Sequence, residues 1–181
     1  MEITVELLTL LFQYRWCAPA LAEVRRSNGC KYVTLRHRLG AADGPLRASL
    51  DALLGCGWLM RNPGYGHPSR PEYLVTEQGA YLAERCEATI LRLQAMHAMQ
   101  VGLNRWTIPT LFVLAQRPLR FTDLRAAVRP ITPRALTQTL RDLITADMAV
   151  RTVTPDIPVA VEYAVTASGR TITDIWLDGP A

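Results

Sequence analysis

A single offset organises this sequence. Arg15-Trp16 returns ninety residues later as Arg105-Trp106, and Pro19 returns as Pro109. Leu46, Leu50 and Leu53 return as Leu136, Leu140 and Leu143, and Arg61 returns as Arg151. The segment EYLVTEQG (Glu72 to Gly79) returns as EYAVTASG (Glu162 to Gly169), with Glu, Tyr, Val, Thr and Gly in register. The spans from Trp16 to Thr34 and from Trp106 to Thr122 differ by two residues, and the next segment restores the count. A repeat that keeps register at both ends predicts one domain built twice. In a chain of 181 residues each copy is an ordinary small domain. We expect the first copy, the more degenerate, over residues 1–79, a connecting helix over 80–102, and the second copy over 103–181.

Each copy reads as three helices, a strand, a turn, a strand and a further helix. In the second copy Trp106 to Ala115 has apolar residues at helical spacing, and Arg117-Pro118 ends it. Thr122 is the expected N-cap of a short helix holding Leu124 and Val128, closed by Pro130. Thr132 is the next N-cap, with Pro133 at the first helical position, where a missing N–H costs nothing. The following helix is expected to bury Leu136, Leu140, Leu143 and Ile144. MAVRTV and VAVEYAV are strand-like runs around a proline-bounded turn. The matching hairpin in the first copy spans Trp58 to Val75. Between the copies no Gly or Pro interrupts residues 80–101, so one long helix is expected, with Tyr81, Leu82, Ile90, Leu91, Leu93, Met96 and Met99 among its apolar residues.

The bulk numbers exclude several classes. Net charge is +4, which permits a nucleic-acid partner without demanding one. The run Leu7 to Phe12 is too short to span a membrane, and Glu2 and Glu6 replace the positive segment of a signal peptide, so a cytoplasmic protein without membrane contact is expected. Cys17, Cys30, Cys56 and Cys86 show no C-x-x-C pair and no histidines at zinc-ligand spacing. His37, His67 and His97 are scattered. No Ser/His/Asp or Cys/His grouping, phosphate-cradling glycine loop or paired carboxylate stands out, so no enzyme, cofactor or metal is expected.

Three helices followed by a two-stranded wing form a winged helix-turn-helix. The expected fold is mainly α with small β-hairpin wings (α+β), two tandem winged helix-turn-helix domains forming a pseudo-dimer. The second copy resembles the HxlR-type transcriptional regulators, within the wider MarR-like group. The resemblance rests on Trp106, Arg120-Phe121, Leu124, Ile131-Thr132, Leu136-Thr137, Leu140, Leu143, Arg151, Pro158, Val161-Glu162-Tyr163 and Thr166-x-x-Gly169. It covers nearly all of the second copy. The first copy matches only through the repeat. The resemblance implies binding to double-stranded DNA, in a family that works as homodimers of single-domain chains. This chain would be a covalently joined pair that acts as a monomer. Redox-sensing members carry a cysteine ahead of the Trp. Here Cys17 follows Trp16, so that role does not transfer.

A recognition helix presents short polar or Arg side chains to base edges, with basic groups flanking on phosphates. Arg134, Thr137, Gln138 and Arg141 fit the first requirement, with Thr132 at the helix start. Arg120 and Arg151 fit the second, although Asp142, Asp147 and Asp156 dilute the field. In the first copy Gly44, Ala48 and Asp51 stand where Arg134, Gln138 and Arg141 do, which leaves Arg47 and Ser49 on the helix and Arg61, His67 and Arg70 on the wing. A small apolar effector would be held by Tyr14, Trp16, Met96, Met99 and Trp106. The expected function is a DNA-binding regulator, open to effector control. The rival reading is a winged-helix scaffold that has lost DNA and binds a small molecule or protein, or catalyses a reaction, between the repeats.

Overall fold

In the computed structural model, which describes residues 1–63, 72–154 and 160–178, apolar residues three and four apart set the helices of both halves. The elements run α1 (Val5–Leu11), α2 (Cys17–Arg26), β1 (Cys30–Lys31), α3 (Tyr32–Leu39), α4 (Asp43–Gly55), β2 (Leu59–Arg61), β3 (Glu72–Val75) and α5 (Glu77–Ala95). They continue as α6 (Met99–Gly102), α7 (Thr107–Gln116), β4 (Leu119–Arg120), α8 (Phe121–Ala127), α9 (Pro133–Thr145), β5 (Ala149–Thr154), β6 (Ala160–Val165) and α10 (Ala167–Leu177). The chain divides into two compact units. The first is Leu11–Leu91; the second is Met1–Leu10 with Arg92–Ala181.

The run from α2 to α5 and the run from α7 to α10 have the same element order and strand pairing. Helix α2 starts at 17 and α7 at 107; α4 starts at 43 and α9 at 133, each pair ninety residues apart. Each unit has a three-stranded antiparallel sheet, ordered β1-β3-β2 in the first and β4-β6-β5 in the second. Tyr73 lies between Cys30 and Arg61, as Tyr163 lies between Leu119 and Arg151. In the first unit Leu21, Val24, Leu35, Leu46, Leu50 and Leu53 are buried; in the second, Leu111, Leu124, Leu136, Leu140, Leu143 and Ile172 are.

The repeated Thr-x-x-Gly has a physical cause. The Thr76 hydroxyl donates to the Gly57 carbonyl (2.6 Å) and accepts from the Gly79 N–H (3.0 Å). Thr166 does the same between the Asp147 carbonyl (2.6 Å) and the Gly169 N–H (3.1 Å). Each threonine thus caps a helix and ties it to the start of the wing. The glycines let the backbones touch: a Cβ at Gly79 would lie 2.0 Å from the Trp58 carbonyl oxygen, and one at Gly169 2.2 Å from that of Met148.

Three expectations need correction. Residues 80–102 do not form one helix: α5 ends at Ala95 and α6 has only four residues. There His97 takes a left-handed φ of 52°, and the Ala98 N–H returns to the Leu93 carbonyl (2.8 Å). That closure satisfies the last carbonyls of α5 without a glycine at the turn. Leu93 then packs on Gly102, where a Cβ would meet it at 2.2 Å. Thr122 is not the cap of α8; the helix starts directly from β4, with Arg120 at the cap position. Ile144 is 39% exposed rather than buried, because Thr139 completes the inner stripe with Leu136, Leu140 and Leu143.

Candidate nucleic-acid interface

Helix α9 is built as a free-standing face. The Thr132 side chain accepts from the Ala135 N–H (3.2 Å), and Pro133 occupies the first turn. The stripe of Leu136, Thr139, Leu140 and Leu143 is buried. Arg134, Thr137, Gln138 and Arg141, at i, i+3, i+4 and i+7, are all exposed on the other side. The Thr137 hydroxyl donates to the Pro133 carbonyl (2.9 Å), which leaves its oxygen free to accept. The Gln138 amide donates to the Asp142 carboxylate (2.8 Å), a bond it must exchange to reach a base.

A cavity of about 520 Å³ lies where α8 turns into α9, lined in part by Thr122, Arg125, Arg129, Thr132 and Pro133. Both arginines are exposed beside the positive end of the α9 dipole. The sequence reading passed over Arg125 and Arg129. Their spacing of four at the end of a helix, next to the break before Thr132, is the signal that could have found them. Arg120 at the edge strand and Arg151 on the wing are exposed as well. Among the described residues none of Arg120, Arg125, Arg129, Arg134, Arg141 and Arg151 makes an ion pair.

The corresponding surface of the first unit is different. Arg47 is exposed, but its guanidinium donates to Asp43 (2.7 Å) and lies 4.6 Å from the Tyr32 ring centre. The Tyr32 hydroxyl donates to the same carboxylate (2.5 Å). The Arg47 and Tyr32 hydrogen bonds hold the Asp43 carboxyl below its ordinary range. Ser49 is not on the outer face: it is fully buried, and its hydroxyl donates to the Pro45 carbonyl (2.9 Å). Ala42 sits at the cap of α4 and supplies no side-chain bond. Arg61 is exposed on β2; His67 and Arg70 lie outside the described residues, as do Asp156 and Pro158.

The five residues expected to hold an effector are divided between the units. Tyr14 (45% exposed) and half-buried Trp16 belong to the first. Met96, Met99 and Trp106, all half-buried, belong to the second, where Arg105 stacks on Trp106 at 4.5 Å. Among the described residues no three His, Cys, Asp or Glu side chains could share a metal ion, and no helix is long and apolar enough to cross a membrane.

Residues 101–178 match the HxlR-like helix-turn-helix family. A transcriptional regulator of the helix-turn-helix type from Methanothermobacter thermautotrophicus is 35% identical over 82 residues, 43% of this chain. That match spans 63% of the relative, less than two thirds of its length. The regulator YvaP of Bacillus subtilis is 30% identical over 78 residues, 43% of this chain and 72% of that one. A regulator from Synechocystis is 33% identical over 95 residues, 52% and 70% of the two chains. Among solved structures, the reduced form of the Bacillus subtilis regulator YodB covers 47% of this chain and 83% of its own, at 25% identity and a TM-score of 0.43. The oxidised form of the redox regulator HypR covers 47% and 88%, at 29% identity and the same score.

Proposed function

The chain belongs to the HxlR-like helix-turn-helix family, and from that premise we propose that it is a DNA-binding transcriptional regulator whose α9 enters the major groove. The observation that carries this reading is the exposed Arg134/Thr137/Gln138/Arg141 face, flanked by arginines without acidic partners. Arg134 and Arg141 suit guanine edges or phosphates, and Gln138 suits adenine once it leaves Asp142. Arg120, Arg125, Arg129 and Arg151 would neutralise the backbone on either side, with the capped start of α9 between them. Bound across a promoter in the cytoplasm, such a protein blocks it.

The finer parts of the reading are proposals of the same kind. Winged domains over 1–79 and 103–181, joined through 80–102, would stand in one chain for the two protomers of a dimeric regulator; the shared element order and strand pairing support this. Control by a small apolar effector belongs to the same proposal, with the half-buried Met96, Met99 and Trp106 of the second unit as its candidate contacts. The rival scaffold reading draws on the first unit alone, where Arg47 is tied and Ser49 is covered.

The test is binding to duplex DNA from around the protein's own gene at several salt concentrations. About five phosphate contacts give a log–log slope of about −4 to −5. Arg134→Ala and Arg141→Ala should each weaken binding about tenfold, as expected for loss of a bidentate base contact. No measurable binding at low salt, or full affinity in both variants, overturns the proposal.

A further inference from the structure

All five ion pairs among the described residues lie in the first unit: Arg25 with Glu84 and Glu87, Arg26 and Arg38 with Glu23, and Arg47 with Asp43. Formal charge conceals this. Residues 11–91 hold ten basic and seven acidic side chains, while the rest of the chain holds ten and nine. By net charge the first unit looks the better anion binder. Yet four of its ten cations are already neutralised locally, and two of those four, Arg38 and Arg47, stand on the helix pair that corresponds to α8 and α9.

We propose that the chain reads duplex DNA with one helix only, α9, and that its operator is a single non-palindromic half-site rather than an inverted repeat. This rests on the DNA-binding reading above. Along α4 the positions matching Arg134, Thr137, Gln138 and Arg141 are Gly44, Arg47, Ala48 and Asp51. Gly44 and Ala48 have no reach. Asp51 is exposed and would face phosphates with like charge. Arg47 could reach a base only by giving up two hydrogen bonds to Asp43 (2.7 and 3.5 Å) and its contact with Tyr32. Doing so would leave the Asp43 charge without its cation, held only by the Tyr32 hydroxyl, at the very end of the helix where a phosphate approaches. The first turn of α9 carries no acidic residue, and that of α4 carries Asp43. In α3, Arg38 is bound to Glu23 (2.7 Å) and to Ser27 (2.6 Å), which leaves Arg36 as an exposed backbone contact without base readout. The first unit therefore keeps the shape of a reading head and lacks its chemistry.

The experiment is selection of duplexes from a random 40-base-pair pool by the full chain, followed by titration of the recovered duplex. One uninterrupted asymmetric block should emerge. Arg134→Ala and Arg141→Ala should each weaken binding at least tenfold, whereas Arg47→Ala and Asp51→Asn should stay within twofold. Thermal melting by circular dichroism confirms that each variant is folded. Two inverted blocks about one helical turn apart would overturn the proposal and leave the DNA-binding reading standing. So would a tenfold loss from Arg47→Ala in a folded variant. Enrichment of no duplex at all would defeat the DNA-binding reading, and this inference with it.

Discussion

Glu23 is the residue at which the two units differ most in kind. It is buried in α2, where the matching position of α7 holds Val113, also buried. Its carboxylate accepts from Arg38 (2.7 Å), Arg26 (3.1 Å) and Ser27 (3.1 Å). Burial alone would raise its pKa, but the bonds from Arg38, Arg26 and Ser27 outweigh it and hold the carboxyl below its ordinary value near 4.5. A carboxyl depressed on folding stabilises the fold above its unfolded pKa, and that stability is lost as pH falls through the folded value. Glu23→Gln should therefore cost about 2 kcal/mol at pH 7. The difference from the parent should shrink as pH drops below 4.5 in urea-unfolding titrations; a constant difference down to pH 3 would remove the ion network as its cause. The cysteines make a second residue-scale case. Burial pushes the Cys17 thiol up to about 11 and Cys86 higher still, whereas Cys56 is half-exposed. At pH 8 a thiol reagent should label Cys56 first and reach Cys17 and Cys86 only on unfolding. Rapid native labelling of Cys17 would contradict its placement. None of this was legible in the sequence: a lone Glu within an apolar helix and four scattered thiols show their neighbours only once folded.

At the scale of elements, the repeated Glu-Tyr-x-Val-Thr-x-x-Gly was legible as a repeat, but its reason was not. The threonine joins the wing to the helix after it, and the glycine lets that helix start press on the Trp58 or Met148 carbonyl. Gly79→Ala and Gly169→Ala each place a methyl group inside the contact radius of a backbone oxygen, which cannot rotate away. Each should cost about 3 kcal/mol in thermal or denaturant unfolding. A change below about 0.5 kcal/mol, the size of an ordinary surface substitution, would show that the helix start is not pinned there. Thr132→Ala removes only the α9 cap and should cost about 1 kcal/mol. The long helices were readable because their periodicity is local. The two-residue strands β1 and β4 were not, since their partners Tyr73 and Tyr163 lie more than forty residues ahead. The break after Ala95 was missed for the complementary reason. A left-handed His97 does the work usually signalled by glycine, and Gly102 five residues later accepts the packing of Leu93.

For the molecule as a whole, the offset of ninety says more than composition does. Helices α2 and α7, and α4 and α9, begin ninety residues apart, the offset that also relates the residues of the two halves. It could not foretell which unit leaves its polar helix face unpaired, because that depends on pairings. Arg47 looks available in sequence until Asp43 and Tyr32 close around it, and Ser49 looks exposed until the inner stripe of α4 is known to include it. Arg125 and Arg129 gain meaning only from the cavity beside α9. The same divergence bears on assembly. A symmetric homodimer forms when one patch meets its own copy across a twofold axis, and a chain with a single unit must find that copy in a second molecule. Under the proposal that one chain stands for both protomers, the two units come already joined, and their surfaces are unlike, with every described ion pair on one side of the division. Divergence of that sort is tolerated when no second chain has to recognise either surface by symmetry. Sedimentation equilibrium should thus return the chain mass of 20.2 kDa across the micromolar range. A mass near twice that value, falling on dilution, would mean that the chain pairs with a second copy of itself, and would overturn the proposal that one chain stands for both protomers.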